Sequence, residues 1–127
     1  MKVNSVGWFE IYVEDMSRAK KFYESVLNKE LDSMITPESA GELEMCGFPG
    51  SMQNYGSNGA LVKMPGAPSG KNSIVIYFAC ADCAVEEARV KESGGSIHKS
   101  KFSIGEYSFI SLVNDTEGNL IGLHSMN

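Results

Sequence analysis

No stretch of this chain stays apolar for long. The longest unbroken run, Ile74 to Ala81, has eight residues, against the roughly 18–20 that cross a bilayer, so no transmembrane helix is expected. No apolar segment follows the early Lys2 either. Glu10 interrupts the only candidate, and no signal peptide is expected. Positive charge is scarce. Eleven bases face 16 acids, for a net charge of −5. Nucleic acid needs a stripe of Lys and Arg to neutralise phosphates, so it is not an expected partner. Arg18, Lys20 and Lys21, and Lys99 with Lys101, are short basic spots that read as solvated faces. Cysteine is sparse and odd in number (Cys46, Cys80, Cys83). Without an export signal these read as reduced thiols of a cytoplasmic protein. What remains is ordinary. A chain of 127 residues, 43% hydrophobic and 21% charged, excludes disorder and disulfide scaffolds and suits one compact domain.

The informative feature is a repeat. Phe9 to Asp15 reads as a strand ending in an acid, followed by a helix pattern. Ile76 to Asp82 reads the same way, and Asp82 lies 67 residues after Asp15. In the first helix Asp15 or Ser17 can accept a free backbone N–H of the first turn. Ala19, Phe22, Tyr23, Val26 and Leu27 fall on one apolar stripe. The second helix, expected over 83–93, has a looser stripe of Cys83, Val85, Ala88 and Val90, and Gly94-Gly95 ends it. After each helix the apolar period shortens to two. Strands are expected near 30–36, 42–47 and 59–64, then near 96–101, 107–113 and 119–125. Turns at 36–41 (with Pro37), 47–59, Ser103-Ile104-Gly105 and 115–119 separate them. Each half reads βαβββ. One such unit is too small to close a core, so modules 1–64 and 71–127, joined by a linker at 65–70, are expected to share one. The fold class is α+β, an eight-stranded mixed, curved sheet with helices on its outer face.

The opening Trp8 to Asp15, then Ala19-Lys20-Lys21-Phe22-Tyr23, and the closing Asp115-Thr116-Glu117-Gly118-Asn119 to His124, resemble the vicinal-oxygen-chelate superfamily. That superfamily holds the glyoxalase I, bleomycin-resistance, fosfomycin-resistance and extradiol-dioxygenase groups. The resemblance covers essentially the whole chain and implies an active site on the concave face of the sheet. Metal-dependent members take a divalent ion from up to four strand positions filled by His, Glu or Gln. The resemblance puts those positions at Trp8, at Val75, at Gly122 and within Ala60 to Met64, where no residue is His, Glu or Gln. No metal is therefore expected, and glyoxalase I, dioxygenase and fosfomycin-type metal chemistry is disfavoured.

Strand alternation puts Trp8, Glu10 and Tyr12 on one face and Phe9, Ile11 and Val13 on the other. The resemblance assigns the first face to the cleft, together with Val75, Tyr77, Gly122 and His124. This gives aromatic walls with one acid and one imidazole. The leading expectation is a cleft that binds a small apolar or aromatic molecule. A lyase- or isomerase-type enzyme using Glu10 with His124 as acid and base, or as atypical metal ligands, is the alternative. A dimeric scaffold without catalysis is the third. A homodimer is expected in each case. The plainer readings stand beside these. Glu10 can be solvated or paired with Lys63. His124 can simply be exposed near the C-terminus. Cys80-Ala81-Asp82-Cys83 fits a redox or half-zinc motif, but two small, half-buried thiols account for it as well. Met45, Met52 and Met64 can line a pocket or fill a core. Asn114-Asp115-Thr116 matches a glycosylation acceptor, which means nothing without export.

Overall fold

The computed structural model describes residues 4, 6–36, 41–51 and 53–127. Lys2, Pro37 and Met52 lie outside the described residues. Both halves start on the same local device. Strand β1 (Glu10–Tyr12) leads to Asp15, whose carboxylate accepts the Arg18 N–H at 3.0 Å and opens helix α1 (Met16–Leu27). Strand β5 (Tyr77–Ala79) leads to Asp82, whose carboxylate accepts the Ala84 N–H at 3.0 Å and opens α2 (Cys83–Val90). The offset of 67 holds from strand to strand, Glu10 to Tyr77 and Tyr12 to Ala79. Helix α1 buries Ala19, Phe22, Tyr23, Val26 and Leu27, the stripe its sequence predicts. Helix α2 closes at Val90, earlier than residue 93. There the Gly95 N–H reaches back to the Val90 carbonyl at 3.0 Å, with Gly94 at φ +98° between them. A side chain at 95 would collide with Asn114, Phe22 and Val90, so this close approach requires glycine.

The remaining strands are β2 (Asp32–Met34), β3 (Glu44–Gly47), β4 (Ala60–Lys63), β6 (Ser96–Gly105), β7 (Ser108–Asn114) and β8 (Leu120–Ser125). They form two four-stranded sheets of the same permutation, sheet A with the order β1-β4-β3-β2 and sheet B with the order β5-β8-β7-β6. In each, the first and last strands run parallel and the rest antiparallel. Together they make the expected eight-stranded, two-helix α+β fold. The turn expected at Ser103-Ile104-Gly105 is instead part of β6. Register shifts between Ile97 and Gly105 absorb the irregular residues, and the chain reverses at Glu106–Tyr107. Pairing with β7 outweighs local turn preference here.

Both halves share one buried cluster, with Ile11, Phe22, Tyr23 and Leu61 from the first and Cys83, Val113, Ile121 and Leu123 from the second. Burial alternates along β1: Ile11 and Val13 are buried, while Glu10 is exposed. Phe9 packs edge-on to Phe78 at 6.1 Å and tilted against Phe48 at 5.9 Å.

The β7–β8 turn locks the halves together. Glu117, 7% exposed, accepts the backbone N–H groups of Glu14 and Asp15, each at 2.9 Å. It also takes two bonds from the Arg18 guanidinium, at 2.7 and 3.0 Å. Asp115 accepts the Tyr23 hydroxyl at 2.6 Å and the N–H groups of Glu117 and Asn119 at 2.8 Å. Asn119 donates to the Tyr12 carbonyl at 3.0 Å. The linker is tied to the same knot, because the Ser69 hydroxyl donates to the Glu117 carbonyl at 2.7 Å. Arg18 is thus paired as well as solvated, and Lys101 pairs with the capping Asp82 at 2.8 Å.

Burial opposes ionisation of Glu117, but Arg18, the two N–H groups and Thr116 prevail and hold its pKa down at about 2, against an ordinary 4.5. A depressed carboxylate pKa stabilises the fold above the unfolded value and loses that stability as pH falls towards the folded one. The shift corresponds to about 3 kcal/mol, and solvent screening through the half-exposed Arg18 reduces it to about 1–2 kcal/mol. Denaturation midpoints should therefore fall between about pH 5 and pH 2, and Glu117→Gln should flatten that dependence while lowering stability at neutral pH. In the same assay Phe22→Ala, at a fully buried site, should cost about 3–5 kcal/mol. Trp8→Ala, at a site 38% exposed, should cost clearly less.

Candidate functional site

On the face of sheet A away from α1, Glu10 projects between two aromatic donors. The Trp8 indole N–H reaches Glu10 Oε2 at 3.2 Å, and the Tyr12 hydroxyl donates to Glu10 Oε1 at 2.8 Å. The i, i+2 spacing of a strand brings three side chains to one face, so these three alternate positions give a fixed carboxylate without any distant partner. The hydrogen bond to Glu10, then burial and the Glu10 charge, raise the Tyr12 pKa, which keeps the phenol protonated as a donor. Glu10 does not pair with Lys63, which stands opposite Glu44 on β3.

In sheet B the position equivalent to Glu10 is Tyr77. It pairs with Gly122, as Glu10 pairs with Ala60. The Tyr77 ring lies so close over Gly122 that a Cβ there would overlap it. Val75 is half-buried, two residues before β5. His124, opposite Ala79 and Ile110, is half-buried with its Nε2 2.8 Å from the Ser108 hydroxyl. No hydrogen bond or ion pair joins His124 to Glu10. The structure therefore brings Trp8, Glu10 and Tyr12 together and Tyr77 onto Gly122, and it leaves His124 with a separate partner.

A metal does not fit these positions. The β4 residues that share a face with Glu10 and Tyr12 are Ala60 and Val62, and Gly122 carries a ring where a ligand would stand. Among the described residues no group of three His, Cys, Asp or Glu side chains is placed to hold an ion. The Cys-x-x-Cys segment is not activated. Burial, then the charges of Glu86 and Cys83, push the Cys80 thiol up to about 12, and Cys83 is buried. Reactive cysteines need the opposite environment.

Three clefts adjoin these side chains. Trp8 borders one of about 420 Å³ with Asp32, Met34 and Gly47. Tyr12 borders one of about 150 Å³ at the seam between the sheets. Tyr77 borders one of about 550 Å³ beside residues 48–51 and 54–58. The last was not anticipated. The segment 47–59 reads as a turn in the sequence, and its length was the signal, since a connection this long often carries a site.

The family profile described as Glyoxalase/Bleomycin resistance protein/Dioxygenase superfamily matches residues 5–123. The chain belongs to this superfamily. A curated relative from Mycobacterium tuberculosis, named "Putative glyoxylase CFP32", is 30% identical over 123 residues, which are 95% of this chain and 45% of that protein. The chain thus spans less than half the length of the curated relatives it matches. Among solved structures, a V278E mutant of glyoxalase I from Zea mays superposes with a TM-score of 0.74 at 20% identity, over 94% of this chain and 45% of that one. TnmS3, an antibiotic binding protein from Streptomyces sp. CB03234, gives 0.62 at 23% identity, over 98% of each chain. At these identities the structural likeness establishes the fold.

The Tyr77–Gly122 contact carries a test. Gly122→Ala should destabilise the fold by about 1–3 kcal/mol through overpacking. Combining it with Tyr77→Ala should recover most of that loss, as a double-mutant denaturation cycle will show.

Proposed function

We propose that this protein binds a small apolar or aromatic molecule on the sheet face that carries Trp8, Glu10 and Tyr12, and does so without a metal. The observation that carries this reading is the Glu10 carboxylate held at 3.2 and 2.8 Å by two aromatic side chains that are themselves partly exposed. Rings supply stacking area, and one oriented polar group fixes the ligand's direction. TnmS3 is an antibiotic binding protein of the same fold, which supports binding over turnover. The relative named as a glyoxylase keeps the enzyme reading alive, with Glu10 as acid or base. In that reading the partner of Glu10 is Tyr12 rather than His124, because Tyr12 already donates to it. A homodimer remains part of the proposal, with sedimentation against 13.8 kDa as its measure.

Trp8 is the only tryptophan, so its emission reports directly on this face. A screen of apolar and aromatic compounds should find saturable changes in that emission without loss of compound. Glu10→Gln should weaken binding of ligands that donate a hydrogen bond, and Tyr12→Phe should do so less. Calorimetry on Trp8→Ala should show binding weaker by about 1–3 kcal/mol. Unchanged affinity in Trp8→Ala would move the ligand elsewhere, and turnover abolished by Glu10→Gln would favour the enzyme.

A further inference from the structure

The two halves differ where β3 joins β4 and β7 joins β8. The second connection has five residues, 115–119, and presses Glu117 onto the backbone N–H groups of Glu14 and Asp15. The first has twelve, 48–59. It arches beside β5 and the end of α1 and leaves the cavity of about 550 Å³ noted above. The repeat thus spends one connection on a lock and opens the other into a chamber.

The chamber is built of rings. Phe48 and Phe78 stand 5.3 Å apart, and Phe9 lies 5.9 and 6.1 Å from them. These three are buried or half-buried and form the inner wall, while Tyr55 and Tyr77 are exposed at the rim. Three further observations mark the chamber as a site. Lys29 is the only charged side chain lining it, in a chain of net charge −5, and it makes no ion pair among the described residues. Ser57 lines it too, and its hydroxyl is buried beside the chamber without a hydrogen-bond partner, a costly state that an acceptor reaching it relieves. Finally, β5 borders it with an open edge. The Ile76 carbonyl and the Cys80 N–H both bond to β8, so by strand alternation the backbone groups of Tyr77 and Ala79 face away from β8.

We propose that this chamber is a second binding site for a flat aromatic anion; it shares Phe48, Pro49, Gly50 and Asn58 with the cleft beside Trp8, but Trp8, Glu10 and Tyr12 do not line it. The anion's rings pack against Phe9, Phe48 and Phe78, its carboxylate or sulfonate pairs with Lys29, and an acceptor on it takes the Ser57 hydroxyl. The volume is in the range that holds drug-sized ligands. Aromatic rings favour tilted and edge-on neighbours of their own kind, which the three phenylalanines supply.

The test uses the whole chain and anilinonaphthalene sulfonate, a flat aromatic sulfonate whose emission rises on binding. One saturable equivalent is expected. Lys29→Glu should weaken it roughly five- to tenfold. The uncharged phenylnaphthylamine should bind the wild type and Lys29→Glu alike. Ala79→Leu, which narrows the chamber at an exposed strand position, should weaken both probes. Ser57→Ala should raise the thermal midpoint while lowering dye affinity roughly threefold, a combination that a packing role alone does not produce. Trp8→Ala should leave dye affinity unchanged. The proposal is overturned if Lys29→Glu binds the dye as the wild type does, or if Trp8→Ala abolishes binding. Non-saturating uptake of several dyes per chain also overturns it. So does dye affinity that falls as protein concentration rises, because a second copy of the chain would then fill the chamber.

Discussion

The Glu117 carboxylate is the contact on which the assembly of the two halves turns. Four N–H groups converge on it from Glu14, Asp15 and Arg18. Two of these are the backbone N–H groups of the N-cap Asp15 and of Glu14 before it, which lead into α1. A carboxylate there satisfies donors that would otherwise be orphaned and sits favourably in the field of the helix N-terminus. Asp115 and Asn119 extend the arrangement to Tyr23 in the core and to the Tyr12 carbonyl on β1. The last connection of the second half thereby fixes both the first strand and the first helix of the first half. The position of Glu10 follows from this, because β1 can neither shift nor tilt without breaking the bonds at its C-terminal end.

The repeat explains why the halves can be compared position by position, and the differences between them carry the functional content. Glu10 and Tyr77 occupy equivalent places, each opposite a small residue of the last strand, Ala60 or Gly122. In sheet B the small residue lets an aromatic ring lie flat on the strand. In sheet A it leaves room beside a carboxylate whose direction is set by its own strand neighbours. A metal site at these places requires donors from β4 and β8 that reach the same point. Alanine, valine and glycine offer none.

Much of this was legible in the sequence where the cause is local. The Asp15 cap, expected there or at Ser17, the α1 stripe and the alternation of β1 depend on residues within a few positions, and the structure has each of them; Asp82 repeats the cap at the equivalent position. The Trp8–Glu10–Tyr12 grouping is legible for the same reason, since it needs only a strand. The reversal after β6 was not, because Ser103 and Gly105 have turn chemistry but pairing with β7 decides their conformation. Glu117 looks like a turn residue, yet its partners lie about a hundred positions away and no periodicity announces them. The chamber depended on contacts of the same kind. Residues 48–59 are rich in turn formers, and only their placement against β5 and Phe9 turns them into a wall.

The two connections also show how one scaffold divides rigidity from opening. A five-residue turn that places a buried carboxylate has little freedom left, and the bonds around Glu117 would be lost by any lengthening. The twelve-residue connection faces no such demand, since its first residue, Phe48, already packs into the core. Tyr55 on it is exposed, and Phe48 at its start packs against the rings of Tyr23 and Phe78. Apolar contact tolerates small displacements far better than a set of short charge-assisted hydrogen bonds does. The half of the molecule that contributes the open connection is also the half that carries Trp8, Glu10 and Tyr12. The half that contributes the lock holds them in place.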